Sequence, residues 1–236
     1  MLAVHTVLLA HPLHPCYHGS VRQLFLPFIV NEEAVPMSAQ PRQYLTIDDY
    51  LTLERTSPQK HEYYAGEIFA LAGGSVAHNL IATNITGMLY NQLRRRPCTV
   101  YASDLRVKIP ATGLYTYPDI VLVCGELHFE DDHQDTLLNP MVIIEILSPS
   151  TENYDRGKKF QNYRTIPSFT DYLLVNQNNQ YIEHYQRQSN YQWLLSEYKT
   201  ADARMHIVSI DCTLLLEEVY EKVVLVPETA AETETE

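Results

Sequence analysis

Long apolar runs, clustered cysteines and a surplus of positive charge are all missing from this sequence, and each absence removes a class of function. No stretch is long and apolar enough to span a bilayer, so no membrane partner is expected. The four cysteines, Cys16, Cys98, Cys124 and Cys212, form no CxxC pair, and no Cys/His cluster has zinc spacing. Free thiols in a reducing cytoplasm are the simple expectation. The N-terminal stretch MLAVHTVLLAHPLHP lacks the basic start of a secretory signal, and His11, Pro12 and His14 interrupt it. With 17 Lys+Arg against 29 Asp+Glu the net charge is −12, which argues against a broad electropositive nucleic-acid surface. The last ten residues supply four of those negative charges, but the balance without them is still −8. Contact with a nucleic acid would have to come from local basic patches and bound cations.

What is present suits a globular chain with a sizeable core: 236 residues, 45% hydrophobic and 19% charged. The 17 tyrosines fit half-buried strands and wet surfaces. Residues 1–36 differ from the rest: they carry four of the ten histidines without a clear period, and Met37 then opens a segment resembling an ordinary protein start. They read as an over-called start or as a loosely packed extension. Residues 37–226 read as one domain, and 227–236 as an acidic, disordered tail. No internal repeat is visible.

Between those ends the pattern runs α, then β, then mixed. Thr46 and Asp49 form a capping box for a first helix. Residues 62–72 read as a hairpin turning at Ala65-Gly66. Leu80, Ile81, Asn84, Ile85, Met88, Leu89 and Leu93 lie on one face of a helix over 76–93, ended by Arg94-Arg95-Arg96-Pro97. Residues 99–109 alternate as one strand, and 118–124 and 141–147 are nearly continuous apolar runs, the mark of strands buried on both faces. A short basic helix is expected over 155–164, with Ser150 or Thr151 as its cap. Tyr172–Val175, Tyr181–Gln186 and Tyr191–Leu195 then form a meander, and Ile207–Ile210 a further strand.

Two carboxylates stand out. Glu145 lies inside the apolar strand Met141–Leu147, where an ionised carboxylate must be paired, protonated, at an open end or bound to a metal. Asp119 follows Pro118 at the entry to Ile120–Cys124. The connection of about 16 residues between these strands can return the chain as a hairpin and set the two acids side by side. Paired carboxylates repel unless a cation lies between them, and oxygen ligands of this kind select Mg²⁺, Mn²⁺ or Ca²⁺ over zinc. A structural pair neutralised by lysine or backbone donors is the alternative. Lys158 and Lys159 in the basic segment differ by about 100° around a helix, so only one can face these strands. Arg106 and Lys108 alternate with Leu105 and Val107 on a face that either meets solvent or, with Lys158, a phosphate backbone. His78, near the start of its helix, reads as a capping or satisfied histidine.

Together, "YYAGEIFALAGGSVAHN", "SDLRVKI", "YPDIVLV", "VIIEILSPST", "DRGKKFQNYRTIPS" and "DYLLV" resemble the Uma-type restriction-endonuclease family of the PD-(D/E)XK nuclease superfamily, over roughly residues 44–220. The resemblance implies an α/β fold: a mixed central sheet flanked by helices, with additional antiparallel strands toward the C-terminus. It implies that Asp119, Glu145 and the carbonyl of Ile146 hold Mg²⁺ or Mn²⁺. The superfamily's lysine two residues after the second acid is replaced here by Leu147, which points to Lys159 from the next helix. Glu62 matches an additional acid near the first helix, and His78 and Asp104 also fall on motif positions. The implied activity is hydrolysis of DNA phosphodiesters, in an enzyme that can act as a homodimer. Its rival is an inactive nuclease-fold module that binds nucleic acid or a protein.

Overall fold

The computed structural model describes residues 44–225, so the extension at 1–36, the tail at 227–236 and Cys16 lie outside the described residues. Helix α1 (Ile47–Glu54) begins at the expected capping box: Asp49 N–H donates to Thr46 Oγ1 (3.2 Å) and Thr46 N–H to Asp49 Oδ2 (3.3 Å). The hairpin of β1 (His61–Tyr64) and β2 (Glu67–Ala70) turns at Ala65 and Gly66, whose φ angles are 50° and 88°. Gly66 is required twice over, since a Cβ there would also meet Tyr44 at 2.7 Å. Helix α2 (Val76–Leu93) buries Ile81, Ile85, Leu89 and Leu93, the stripe expected from their spacing.

The stretch 99–109 is not one strand. Ser103 at φ 34° breaks it into β3 (Cys98–Ala102) and β4 (Arg106–Ile109), which belong to different sheets. Alternation carried through the break because both halves are strands; the bend is invisible to a period-2 pattern. Strands β5 (Leu114–Thr116), β6 (Ile120–Cys124), β7 (Thr136–Leu137) and β8 (Val142–Leu147) follow. All six residues of β8 are buried, as expected of an apolar run interrupted only by Glu145. The basic helix is a composite: α3 (Glu152–Tyr154), a π-helical turn (Asp155–Lys159) and α4 (Phe160–Tyr163). Thr151 occupies its N-cap without a side-chain capping bond. Strands β9 (Asp171–Asn176), β10 (Ile182–Arg187) and β11 (Trp193–Tyr198) make the expected meander. The strand expected at Ile207–Ile210 lies earlier: β12 is Arg204–Ile207, and Val208–Ile210 is a 3₁₀ turn leading into β13 (Cys212–Leu215) and α5 (Leu216–Val219).

A six-stranded mixed sheet, ordered β11-β10-β9-β8-β6-β3, carries the core. On one face Ile120, Leu122, Ile144 and Ile146 pack against α2. On the other, Val121, Val123, Ile143 and Leu147 meet Phe160, Tyr163 and residues of a five-stranded sheet ordered β2-β1-β5-β4-β7. No helix among the described residues is long and apolar enough to cross a membrane.

The expectation of free thiols fails at one pair. Strand register makes Cys98 and Cys124 direct partners across β3 and β6, and they form a disulfide, while Cys212 is free and buried. The spacing of 26 residues carries no motif; only the antiparallel pairing brings them together. The disulfide removes the support that free thiols lent to a reducing compartment. Replacing both cysteines by serine is expected to lower stability by about 3.5 kcal/mol, the loop-closure contribution of a bridge of this span. Urea unfolding without reductant measures it; identical stability with and without reductant in the unsubstituted protein would rule the bridge out.

Candidate active site

Register brings the two acids together. Ile120 pairs with Ile144 in the antiparallel β6–β8 ladder, so one further step sets Asp119 opposite Glu145. Side chains alternate, so Asp119 and Glu145 share the face of Val121, Val123, Ile143 and Leu147, away from α2. The contacts agree: Asp119 N–H approaches Glu145 Oε2 at 3.4 Å, and Ile146 N–H donates to Asp119 Oδ2 at 2.7 Å.

The composite helix resolves the lysine. Lys159 points in and is 6% exposed. Its Nζ lies 2.9 Å from Glu145 Oε1, 3.4 Å from Asp155 Oδ1 and 3.5 Å from Glu62 Oε1. Lys158 turns away and lies 4.6 Å from the centre of the Tyr64 ring. The hydroxyl of Tyr163 donates to Glu145 Oε1 (2.9 Å), that of Tyr154 to Glu62 Oε2 (3.1 Å), and Thr116 Oγ1 also donates to Glu62. Glu62 arrives from β1 of the five-stranded sheet, so the site joins both sheets and the helix.

One ammonium thus serves three buried carboxylates, with Asp119 beside them. The result is visible in the ionisation of the cluster. Burial pushes the Glu145 carboxyl up to about 8 against the opposing charge of Lys159. Burial likewise raises Asp155, again against Lys159. Burial alone would lower Lys159, but the charges of Glu145, Glu62 and Asp155 outweigh it and hold the amine well above its usual value. These directions are compatible: the lysine keeps its proton, and the carboxylate charge it cannot balance is relieved by protonation.

His78 joins from the start of α2. Its main-chain N–H donates to the N-cap Ser75 Oγ (3.1 Å), leaving the ring free to meet Asp119, with Nε2 at 3.1 Å from Oδ2. Burial would lower its pKa, but the hydrogen bond and charge of Asp119, with Asp155 behind it, hold it above the usual value. The capping role read from sequence therefore belongs to Ser75. The ring presses on Gly74, where a Cβ would come within 2.6 Å of Nδ1.

A profile described as "Putative restriction endonuclease" of the Uma2 family matches residues 47–213, nearly all of the described fold. The chain belongs to the Uma2 family. Two uncharacterised proteins of Synechocystis sp. are similar to it. One is 37% identical over 161 residues, spanning 68% of this chain and 91% of the relative. The other is 35% identical over 182 residues, spanning 76% and 93%. A crystal structure of "a putative nuclease belonging to DUF820 from Anabaena variabilis" shares the fold, with a TM-score of 0.63 at 19% identity, covering 76% of this chain and 99% of that one.

In this Uma2 protein the acids and lysine singled out by sequence converge, whereas the proposed phosphate contacts divide. Arg106 is 3% exposed, and its guanidinium is bound to Thr136 Oγ1 (2.9 Å), the Tyr117 hydroxyl (3.1 Å) and Asp135 Oδ1 (2.9 Å). It is a buried bracket between strands and cannot face a duplex. Lys108 pairs with Glu130 over the Tyr115 ring. Asp104 is exposed and pairs with Lys60, outside the acid cluster. Sequence reasoning missed Asp155, Tyr154 and Tyr163. Asp155 was legible, standing four residues before Lys159 and hence on its helical face. The tyrosines carried no signal among 17.

The ionisation pattern predicts a pH dependence. A carboxyl raised from 4.5 to about 8 stabilises the fold fully below its unfolded value, and that stability is lost as pH rises through 8. Without divalent cations, unfolding stability should therefore fall between those two pH values, and Glu145→Gln should flatten the slope. A slope unchanged in Glu145→Gln, read by urea titrations in EDTA, would contradict it.

Proposed function

We propose that this Uma2 protein is a divalent-metal-dependent endonuclease that hydrolyses DNA phosphodiester bonds with an activated water. One observation supports this reading above others: four acids converge, Glu62, Glu145 and Asp155 on the single ammonium of Lys159 and Asp119 on His78, so that carboxylates outnumber the cationic groups facing them. The donor chemistry fits a hard cation such as Mg²⁺ or Mn²⁺. Among the described residues no three acidic, histidine or cysteine side chains are already arranged to hold a metal. The residues that would hold it are Asp119, Glu145 and the Ile146 carbonyl, the set the family resemblance implies, and Mg²⁺ usually needs few protein ligands. Bound there, the ion would acidify a water and polarise the phosphoryl group.

The protein's own groups have separable tasks. Ile146 N–H and His78 orient the Asp119 carboxylate. Lys159 holds Glu145 through one oxygen, Oε1, and keeps a proton with which to position the attacking water and offset charge on the phosphoryl oxygens. Tyr163 and Tyr154 fix the carboxylates of Glu145 and Glu62. A second reading, a non-catalytic nuclease-fold module, is favoured by the lack, among the described residues, of three such side chains already arranged around one metal position.

Purified protein should nick supercoiled plasmid with Mg²⁺ or Mn²⁺ and be silent in EDTA. Asp119→Asn, Glu145→Gln and Lys159→Met should each lower the rate by about 100-fold or more, the scale of losing a preorganised charge at a transition state. Undiminished cutting by Glu145→Gln would sink the metal site. No cutting with either metal, alongside metal-independent binding of DNA, would establish the second reading.

A further inference from the structure

The site's surroundings narrow the substrate, on the premise that this is the nuclease centre described above. The cluster lies in a cavity of about 730 Å³. Its innermost groups are almost sealed: Glu145 and Asp155 are each 3% exposed, Glu62 5% and Lys159 6%, while the Asp119 side chain retains 21%. A volume of this size suits one small organic group, within the usual ~300–1,000 Å³ of ligand pockets.

The lining is poor in usable positive charge. Its only lysines are Lys60 and Lys159. Lys159 is committed to three carboxylates, and Lys60 to Asp104 and the Ser103 carbonyl (3.0 Å). Duplex DNA presents a phosphate charge every ~1.7 Å along its axis and is held by cations that follow both strands. With Arg106 buried, Lys108 paired and the chain at −12, that track is not found around this mouth among the described residues.

Beyond the acid cluster the lining offers uncharged polar and aromatic groups, including Asn79, Tyr117, Ser148 and Gln177. Gln177 is the most informative. It is 7% exposed, and its orientation follows from the helix cap. Ser75 Oγ already accepts the N–H of His78, so its hydroxyl proton is free to donate to Gln177 Oε1, 2.6 Å away. With the amide oxygen fixed on Ser75, the Nε2 donor is the end left for the cavity, and no described residue accepts from it. An amide donor held in place by the Ser75 bond at its other end, with no protein acceptor, is available to a ligand oxygen or nitrogen.

We propose that the cavity receives an unpaired nucleotide, from a single strand or extruded from a duplex, with Gln177 donating to it, and that intact B-form duplex is a poor substrate. Base-modifying enzymes flip a nucleotide into a pocket to reach an atom inside the stack; here it is the protein's groups that are recessed, and an unstacked nucleotide has the freedom to bring its phosphate to them.

The test uses the full chain and three DNAs of one sequence: a single strand, the matched duplex and the duplex with a central unpaired bubble. Cleavage is followed with Mn²⁺, and binding by fluorescence anisotropy with Ca²⁺. Single strand and bubble should be bound and cut at least about tenfold better than matched duplex. Preference for the bubble over the single strand would identify extrusion as the route. Gln177→Leu and Gln177→Glu, the latter keeping an oxygen for Ser75 while losing the donor, should each raise KM for the unpaired DNA about tenfold with kcat nearly unchanged. Equal or better use of matched duplex overturns the proposal, as does unchanged KM in both variants. If no DNA is cut but unpaired DNA is still bound preferentially, the proposal stands and the nuclease reading falls.

Discussion

Four carboxylates gathered around one buried ammonium are the constraint on which this structure turns. Taking ionised carboxylates out of water is unfavourable unless each finds a positive partner or a proton. Lys159 reaches three of them, and cannot neutralise three. Burial pushes the carboxyls of Glu145 and Asp155 above their usual values, toward the neutral form that a proton provides. Two hydroxyl donors, Tyr163 and Tyr154, and the Ile146 N–H contribute further compensation without adding charge. A protein selecting only for stability would have an easier solution in apolar residues of similar size. Retaining the acids is understandable if a cation is to occupy their midst.

The fold serves this arrangement by converging rigid elements. β6 and β8 are central strands whose register holds the Asp119 and Glu145 backbones in one another's reach. The second sheet delivers Glu62, and the π-helical turn places Asp155 and Lys159 on one face. Helix α2 packs on the far face of the main sheet yet sends His78 around to Asp119 from its first turn. Each contribution comes from an element anchored in the core, so the side chains are held in position before any ligand arrives.

Much of this was legible in advance, and the reasons are local. The apolar run Val142–Leu147 made Glu145 conspicuous, and the Pro-Asp pair ahead of Ile120–Cys124 marked Asp119. The period of α2 and the Ala65-Gly66 turn follow from side-chain spacing and φ preference. What misled was alternation. It suggested one strand across Ser103 and an exposed face for Arg106, because a period-2 pattern says which residues share a side but not whether that side meets water or a second sheet. Nor does it say which strands pair, so the Cys98–Cys124 bridge and the Tyr163–Glu145 contact left no trace.

The chain alone determined that a carboxylate would lie in a buried strand, that a second would precede a neighbouring one, and that one of two adjacent lysines would face them. These are consequences of short-range geometry, encoded within a few residues. Only the tertiary structure decided that Asp155 joins the cluster, that Ser75 orients Gln177 and that Arg106 is enclosed, and it turned inward Lys159 and Glu62, to which the family resemblance alone had pointed. Those outcomes depend on the register and packing of segments up to about a hundred residues apart, from Ser75 to Gln177, and on the collective cost of burying charge, which no local pattern records.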